Sequence, residues 1–291
     1  MKQNDSEGIV YIATGDKYIN EAKKSAESVL KHNNVDITLI SDKKISNNVF
    51  DECRVIDNPK YNMGDSVLSP SQLPYNKTIF LDTDTYVTSP ITDLFDSIEQ
   101  FDLGCSFNIG TGIPYKDIKK IDSNVCSEKS NSVPESFCEF NTGVLVFRKS
   151  TKICDFLTKW NKLYEKQDEF ERNQPSFRKA LFESDIQLLP LPREYNYRLP
   201  KIAEVHDKVK IIHGRHPVGY DKIDDCINSK LESRVISRTD WPLDITSIND
   251  ISIKFMILYI LNSGDIYNMA DLIKTKWNNY SLSEIINRIS L

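Results

Sequence analysis

Thr78-Ile79-Phe80-Leu81-Asp82-Thr83-Asp84-Thr85 is a short apolar run that ends in two carboxylates one residue apart. Thr78 to Leu81 reads as a buried strand: it is apolar, holds a β-branched isoleucine and follows the turn residues Pro74 and Asn76. A strand that delivers two acids at its C-terminal end sets them at the mouth of a sheet, and in open α/β folds that crevice binds ligands. Side chains alternate along a strand, so Asp82 and Asp84 are expected to point the same way while strand geometry lasts. Two convergent carboxylates repel unless a divalent cation lies between them, and hard oxygen ligands suit Mg²⁺ or Mn²⁺.

The chain around this run alternates strands and helices. Ile9 to Ala13 predicts a first strand, ending in Thr14-Gly15-Asp16. Residues 19–30 read as a helix with Ile19, Ala22, Ala26, Val29 and Leu30 on one face and Asn20 as a cap. Ile37–Ile40 and Arg54–Ile56 are further strands, so the run before Asp82 is the fourth. This β-α-β-β rhythm argues for an α/β fold with a mostly parallel, doubly wound sheet.

Beyond the acids, Ile91–Ile98 predicts a short helix and Asp102–Phe107 a strand. Residues 110–136 are polar and aperiodic, as functional connections often are. Phe140–Phe147 is strand-like but carries Asn141-Thr142-Gly143, where a glycine marks a bulge or a close ligand approach. Residues 151–166 form an amphipathic helix through Ile153, Leu157, Trp160 and Tyr164. Gln174-Pro175 opens another helix, to about Phe182. Ile186–Leu191 and Val209–Ile212 read as late strands, and from about Thr246 the pattern is helical, with a capping box at Ser281-Leu282-Ser283-Glu284. The domain expectation is therefore residues 1–243 as one α/β unit and 244–291 as a C-terminal helical extension.

Composition excludes some classes. The chain has 291 residues, net charge −5 and 27% charged residues, so it lacks the basic excess of a general nucleic-acid binder. Met1–Gly8 is polar, which predicts no secretory signal, and Phe255–Leu261 is too short an apolar run to span a bilayer. The six cysteines, at 53, 105, 126, 138, 154 and 226, form no Cys-x-x-Cys pair and read as reduced thiols. Cytoplasmic location is the expectation, with the apolar C-terminal helix open to packing, a homodimer contact or the inner membrane face.

His213 lies at the end of Val209-Lys210-Ile211-Ile212. If the two strand ends meet, Asp82, Asp84 and His213 make a mixed oxygen and nitrogen site that suits Mn²⁺ better than Ca²⁺. A zinc site through His213 and His216 lacks a further cysteine or acid at suitable spacing. Each motif also has a plainer reading: Asp-x-Asp as a turn, Asn141-Thr142-Gly143 as a bulge, Gln174-Pro175 as a helix start, Arg215 as a solvated charge. Tyr195, Tyr197 and Arg198 read as either pocket or packing residues.

Four stations, taken in order, resemble the GT-A fold nucleotide-sugar glycosyltransferases, most closely family 8, the glycogenin and lipopolysaccharide galactosyltransferase group. They are Tyr11-Ile12-Ala13-Thr14-Gly15-Asp16, Leu81-Asp82-Thr83-Asp84, Phe140-Asn141-Thr142-Gly143-Val144-Leu145-Val146-Phe147, and His213-Gly214 followed by Pro217. The resemblance implies transfer of a sugar from a nucleoside diphosphate sugar, with a UDP-sugar as the expected donor, with retention, to a carbohydrate, lipid or protein acceptor. It implies Mn²⁺ (or Mg²⁺) held by Asp82, Asp84 and His213. It implies base and ribose contacts from Ala13, Thr14 and Asp16, phosphate contacts from Arg215 and His216, and a sugar pocket of Asn141 and Gly143 with Gln174 near the anomeric carbon. Tyr11, Thr83, Thr142 and Gly214 complete the implied donor-binding set, and Asn173 joins Gln174 and Asn141 in the implied catalytic one.

The chain departs from the family pattern in three places. Asn173-Gln174 stands where the relatives have Asp-Gln, His216 replaces a phosphate-gripping lysine, and Gly64-Asp65-Ser66 stands where a basic residue is common. Competing readings are a haloacid-dehalogenase-type phosphohydrolase with Asp82 as nucleophile, a sugar-1-phosphate nucleotidyltransferase, and a non-catalytic nucleotide-sugar-binding module. The first expects its acidic pair on strand one, and the second expects positive charge after strand one, where Ala13-Thr14-Gly15-Asp16 has none.

Overall fold

The computed structural model describes residues 6–46, 48–108, 133–134, 136–166, 172–199, 203–215, 218–229, 231–236, 243 and 245–248. Its centre is a seven-stranded sheet in the order β3-β2-β1-β4-β7-β6-β8. The strands are β1 (Glu7–Ala13), β2 (Asp36–Ser41), β3 (Glu52–Val55), β4 (Lys77–Leu81), β6 (Leu103–Phe107), β7 (Phe140–Arg148) and β8 (Leu188–Pro190). Pairs β1–β2, β2–β3, β1–β4 and β6–β8 are parallel, while β7 runs antiparallel to β4 and β6. The mostly parallel α/β sheet expected from the β-α-β-β rhythm is therefore present.

Alternation along the strands builds two cores, one on each face. Ile9, Tyr11 and Ala13 of β1, Ile79 and Leu81 of β4 and Val144 and Val146 of β7 pack against α1 (Asp16–Leu30) and α2 (Asp93–Ser97). The intervening Val10, Ile12, Phe80, Leu145 and Phe147 face α3 (Thr151–Glu165) and α4 (Gln174–Phe182). Strands covered on both faces read as continuous apolar runs, as β1 and β4 do. In α3, Ile153, Phe156, Leu157, Trp160 and Tyr164 are buried at helical spacing, and the Ser150 side chain caps the helix by accepting from the Ile153 N–H.

The sheet winds outward from β1 in two directions, to β2 and β3 on one side and to β4 on the other. The C-terminal ends of β1 and β4 thus flank a topological switch point, where such sheets open a crevice.

A second unit packs beyond that crevice. Strands β5 (Thr85–Val87), β9 (Tyr197–Arg198) and β11 (Ile211–His213) form a small sheet in the order β5-β11-β9. Strands β10 (Ala203–Val205), β12 (Arg234–Ile236) and β13 (Ile245–Ser247) form another, and α5 (Tyr220–Ile227) contributes Ile223 and Ile227 to a third core with Tyr197, Val205 and Ile212.

Several local expectations are corrected. Helix α1 begins at Asp16 behind Gly15, whose φ is 84°, so Asn20 is helix interior rather than a cap, and Leu30 is exposed. Strand β3 starts two residues before Arg54, and β8 is shorter than its apolar run, with Pro190 tolerated because β8 is a sheet edge. Ile245–Ser247 pairs as a strand with β12, where the sequence read as helical from Thr246. Most of the 110–136 connection and the helices expected over 249–291 lie outside the described residues. No helix among the described residues is long and apolar enough to cross a membrane.

Candidate functional site

Strand β4 stops at Leu81, and Asp82, Thr83 and Asp84 form a turn closed by the Thr85 N–H on the Asp82 carbonyl at 3.2 Å. The shared orientation of the two acids comes from this turn and not from continued strand geometry. The chain then enters β5, which pairs antiparallel with β11 so that His213 lies opposite Thr85. That register brings the distant histidine to the acids: His213 Nε2 is 3.5 Å from Asp82 Oδ2 and 3.4 Å from Asp84 Oδ1. One ligand atom from each of the three residues lies within 4.8 Å of the others.

His213 is 2% exposed, and its Nδ1 is 2.8 Å from Asn196 Oδ1. Asn196 Nδ2 donates to Asn141 Oδ1 at 3.0 Å, and the same oxygen accepts the Gly143 N–H at 2.9 Å. Asn141, expected in a sugar pocket, thus has its side-chain oxygen committed to a buried chain behind the histidine. Gly143 fits the close-approach reading. A Cβ there would lie 2.2 Å from His213 Cε1 and 2.7 Å from Asp82 Oδ2. The strand is also irregular here, since the β6–β7 register shifts between Cys105 and Phe107, opposite this stretch.

Positive charge borders the acids. Arg215 Nη1 is 3.3 Å from Asp84 Oδ2, and its Nε and Nη2 donate to Glu21 of α1 at 2.8 and 2.6 Å. Thr83 Oγ1 donates to the same Glu21 at 3.2 Å. Arg198 Nη1 is 3.9 Å from Asp84 Oδ2 and has no hydrogen-bond partner among the described residues. Gly214 has φ 110° and donates its N–H to the Asp84 carbonyl at 2.9 Å, holding the two loops together. Burial pushes the Asp84 carboxyl up, but His213, Arg215 and Arg198 outweigh it and hold the group well below the usual carboxylate range. Burial pushes the His213 imidazole down, and its hydrogen bonds to Asp82 and Asp84 overcome that and raise it.

The other expected residues divide. Tyr11 is enclosed in the core, its hydroxyl hydrogen-bonded to Ser25 at 2.8 Å, so its side chain faces α1 and not a ligand. Ala13 ends β1 and Thr14 follows it beside the crevice, where Thr14 Oγ1 donates to Asp65 at 2.9 Å. Asp65, noted in sequence only for the absence of a basic residue, also accepts the Lys60 and Tyr61 N–H groups at 2.8 and 2.7 Å. Asp16 is exposed and paired with Lys43. Thr142 Oγ1 donates to Asn173 Oδ1 at 2.8 Å, joining β7 to the start of α4, where Gln174 is half-buried. His216 lies outside the described residues.

Glu21, Asn196 and Asp65 were not singled out by the sequence as site residues. Glu21 is a solvent-face position of an amphipathic helix by periodicity, and Asn196 sits between two tyrosines with no motif of its own. Arg198, read as pocket or packing, is at the site, whereas Tyr197 is packed in the third core. Chemically, the cluster offers oxygen and nitrogen ligands for one cation, with guanidinium groups beside it for an anion.

Residues 68–214 match the model of a family described as glycosyl transferase family 8. Among solved structures, the galactosyltransferase LgtC in complex with donor and acceptor sugar analogs is similar at 15% identity and a TM-score of 0.50, over 72% of this chain and 87% of that one. An active-site mutant of LgtC is similar at 15% identity and a TM-score of 0.51, over 72% of this chain and 88% of that one. These two likenesses show the GT-A type fold. The glycosyltransferase GlyE of Streptococcus pneumoniae TIGR4 is similar at 19% identity and a TM-score of 0.46, over 67% of this chain. The chain spans about half of its length, 47%. No curated protein matches the chain.

Proposed function

Because the chain belongs to glycosyl transferase family 8, we propose that it transfers a sugar from a nucleoside diphosphate sugar to an acceptor, with retention of anomeric configuration. The donor in this reading is a UDP-sugar, and the acceptor is a carbohydrate, free or carried on a lipid or protein. The observation that carries the reading is the convergence of Asp82, Asp84 and His213 at the switch-point end of the sheet, all inside the matched segment. In this reading the activity extends at least through β13, because Ile245–Ser247 pairs with β12 and the boundary expected at 243/244 would cut that sheet.

The residues fit a divalent cation. Two carboxylate oxygens and one imidazole nitrogen lie within 4.8 Å of one another, and the missing side chain of Gly143 lets the ring and the Asp82 carboxylate lie close against β7. Such a mixed donor set suits Mn²⁺, with Mg²⁺ as the harder alternative. Bound there, the cation would supply Lewis-acid stabilisation of the charge on a departing nucleoside diphosphate.

The chain's own residues do the rest in this reading. Arg215 and Arg198 face the outer oxygen of Asp84 and add positive charge for the diphosphate, a role in which a planar guanidinium grips two oxygens at once. Ala13, Thr14 and Asp16 border the base and ribose. Gln174, at the first turn of α4 next to Asn173, which Thr142 ties to β7, is the residue assigned to the anomeric region.

Calorimetry tests the proposal. UDP should bind with Mn²⁺ present, and Asp84→Ala should nearly abolish that binding; unchanged binding would remove the metal assignment. Slow hydrolysis of a panel of UDP- and GDP-sugars, with the product anomer read by NMR, then identifies donor and stereochemistry. Binding without any turnover over that panel and a panel of acceptors would favour a non-catalytic binding module instead.

A further inference from the structure

The side chains behind His213 have only one consistent orientation, because the chain of hydrogen bonds starts at a backbone N–H. The Gly143 N–H can only donate, so the Asn141 atom 2.9 Å from it is the carbonyl Oδ1. That oxygen also faces the Asn196 amide at 3.0 Å, and two carbonyl oxygens at that distance would repel, so Asn196 presents Nδ2 to it. The remaining Asn196 atom is then Oδ1, an acceptor, and it lies 2.8 Å from His213 Nδ1. Asn141, Asn196 and His213 are 5%, 4% and 2% exposed, so solvent cannot readily compensate a reversed amide.

We infer that Asn196 is a positioning residue that holds His213 with its proton on Nδ1, leaving the Nε2 lone pair aimed between the Asp82 and Asp84 carboxylates. Which imidazole nitrogen binds a ligand is set by the hydrogen bond the other one makes. Without Asn196 the neutral ring has a competing option, a proton on Nε2 donated to a carboxylate 3.4 or 3.5 Å away. That tautomer would satisfy the acids without a cation. Asn196 disfavours it, so three acceptors face one another and the cluster favours binding a positive ion. Gly143 serves this arrangement twice: its N–H orients the amides, and its lack of a Cβ leaves room for the ring it orients.

The consequence for metal affinity rests on the metal reading given above, but the tautomer itself does not. The first test uses the unaltered, metal-free protein. With histidine ¹⁵N-labelled and His213 assigned against a His213→Gln variant, its ring at alkaline pH should show a protonated Nδ1 and a bare Nε2. A protonated Nε2 would overturn the inference whatever the metal does.

The second test measures Mn²⁺ binding by calorimetry and electron paramagnetic resonance. Asn196→Leu, of similar size but with no acceptor, should weaken Mn²⁺ binding about 10- to 100-fold. Asn196→Asp keeps an oxygen facing Nδ1 but sets its other oxygen against Asn141 Oδ1, so it should recover part of that loss and not all of it. Equal affinities for Asn196→Leu and the unaltered protein, with Asp84→Ala still abolishing binding, would overturn the role of Asn196 alone. Unchanged binding in Asp84→Ala would overturn the metal reading, while the NMR result would still decide the tautomer.

Discussion

The Asp82 N–H donates to the Gly143 carbonyl at 2.8 Å, so the first acid of the pair and the glycine interrupting β7 are direct neighbours across the β4–β7 seam. Sixty residues of chain separate two groups that share one hydrogen bond. The side-chain face of that glycine is occupied by the His213 ring and the Asp82 carboxylate.

Gly143→Ala should therefore damage the site more than the fold. Its Cβ would overlap His213 Cε1 at 2.2 Å, and either the ring or the strand must move. The expected result is at least about tenfold weaker Mn²⁺ binding, comparable to the loss of a supporting residue. Calorimetry reads the affinity and a urea melt reads the fold; wild-type affinity in a folded variant would show that the ring has room to give.

Arg215→Ala should weaken UDP binding in the presence of Mn²⁺ and leave binding of Mn²⁺ alone nearly unchanged. The guanidinium faces the Asp84 oxygen that points away from His213, so it borders an anion beside the cation cluster. A charge-assisted contact to a phosphate is worth about 1.5–3 kcal/mol, or roughly 10- to 150-fold in affinity. Arg215→Lys should recover only part, because a single ammonium cannot keep both bonds to Glu21 and still face the anion. Full recovery by lysine would show that point charge alone matters.

The pH response of His213 has opposite signs with and without metal. In the metal-free protein His213 is raised, so its contribution to stability is complete below the unfolded imidazole's pKa and is lost as pH rises through the folded value. Asp84 is held low, so its contribution is present above the unfolded carboxyl's pKa and is lost as pH falls toward the folded one. Cation binding needs Nε2 bare, so Mn²⁺ affinity should increase as pH rises through the raised His213 pKa, with release of a proton. Titration in buffers of different ionisation enthalpy measures that proton; an affinity flat from about pH 6 to about pH 9 would contradict it.

Trp160→Ala should cost about 3–5 kcal/mol of stability, the usual range for emptying a large buried aromatic position. The indole is fully buried, packs edge-on against Phe177 at 4.9 Å and donates to the Asn173 carbonyl at 3.3 Å. Trp160→Phe keeps most of the packing and loses that bond, so it should be milder in urea. A cost below about 1 kcal/mol for the alanine variant would mean that the helices around it collapse to fill the space.

Periodicity reported most faithfully where burial was simple. Helix α3 was legible from Ile153, Leu157, Trp160 and Tyr164 because one face is buried along its length. The three-residue strand Ile245–Ser247 was not, since so short a segment carries no period that separates strand from helix. The acid pair, Asn141-Thr142-Gly143 and His213 stood out because each breaks an apolar strand with a residue that a buried sheet has no structural use for. Tyr11 misled for the converse reason: an aromatic in a motif-bearing strand points to the core or to the crevice according to its parity, and its hydroxyl found Ser25.

The sequence by itself determined the alternating layers, the strand ends that carry chemistry and the acids and histidine of the candidate site. Local pattern suffices for those, since burial on one or both faces leaves its period in the chain. Only the tertiary structure decided that His213 stands opposite Thr85, that Glu21 on α1 holds both Arg215 and Thr83, and that Asn196 governs the face His213 presents. Each of those contacts joins segments far apart in sequence, where register and side-chain orientation depend on packing that no local window contains.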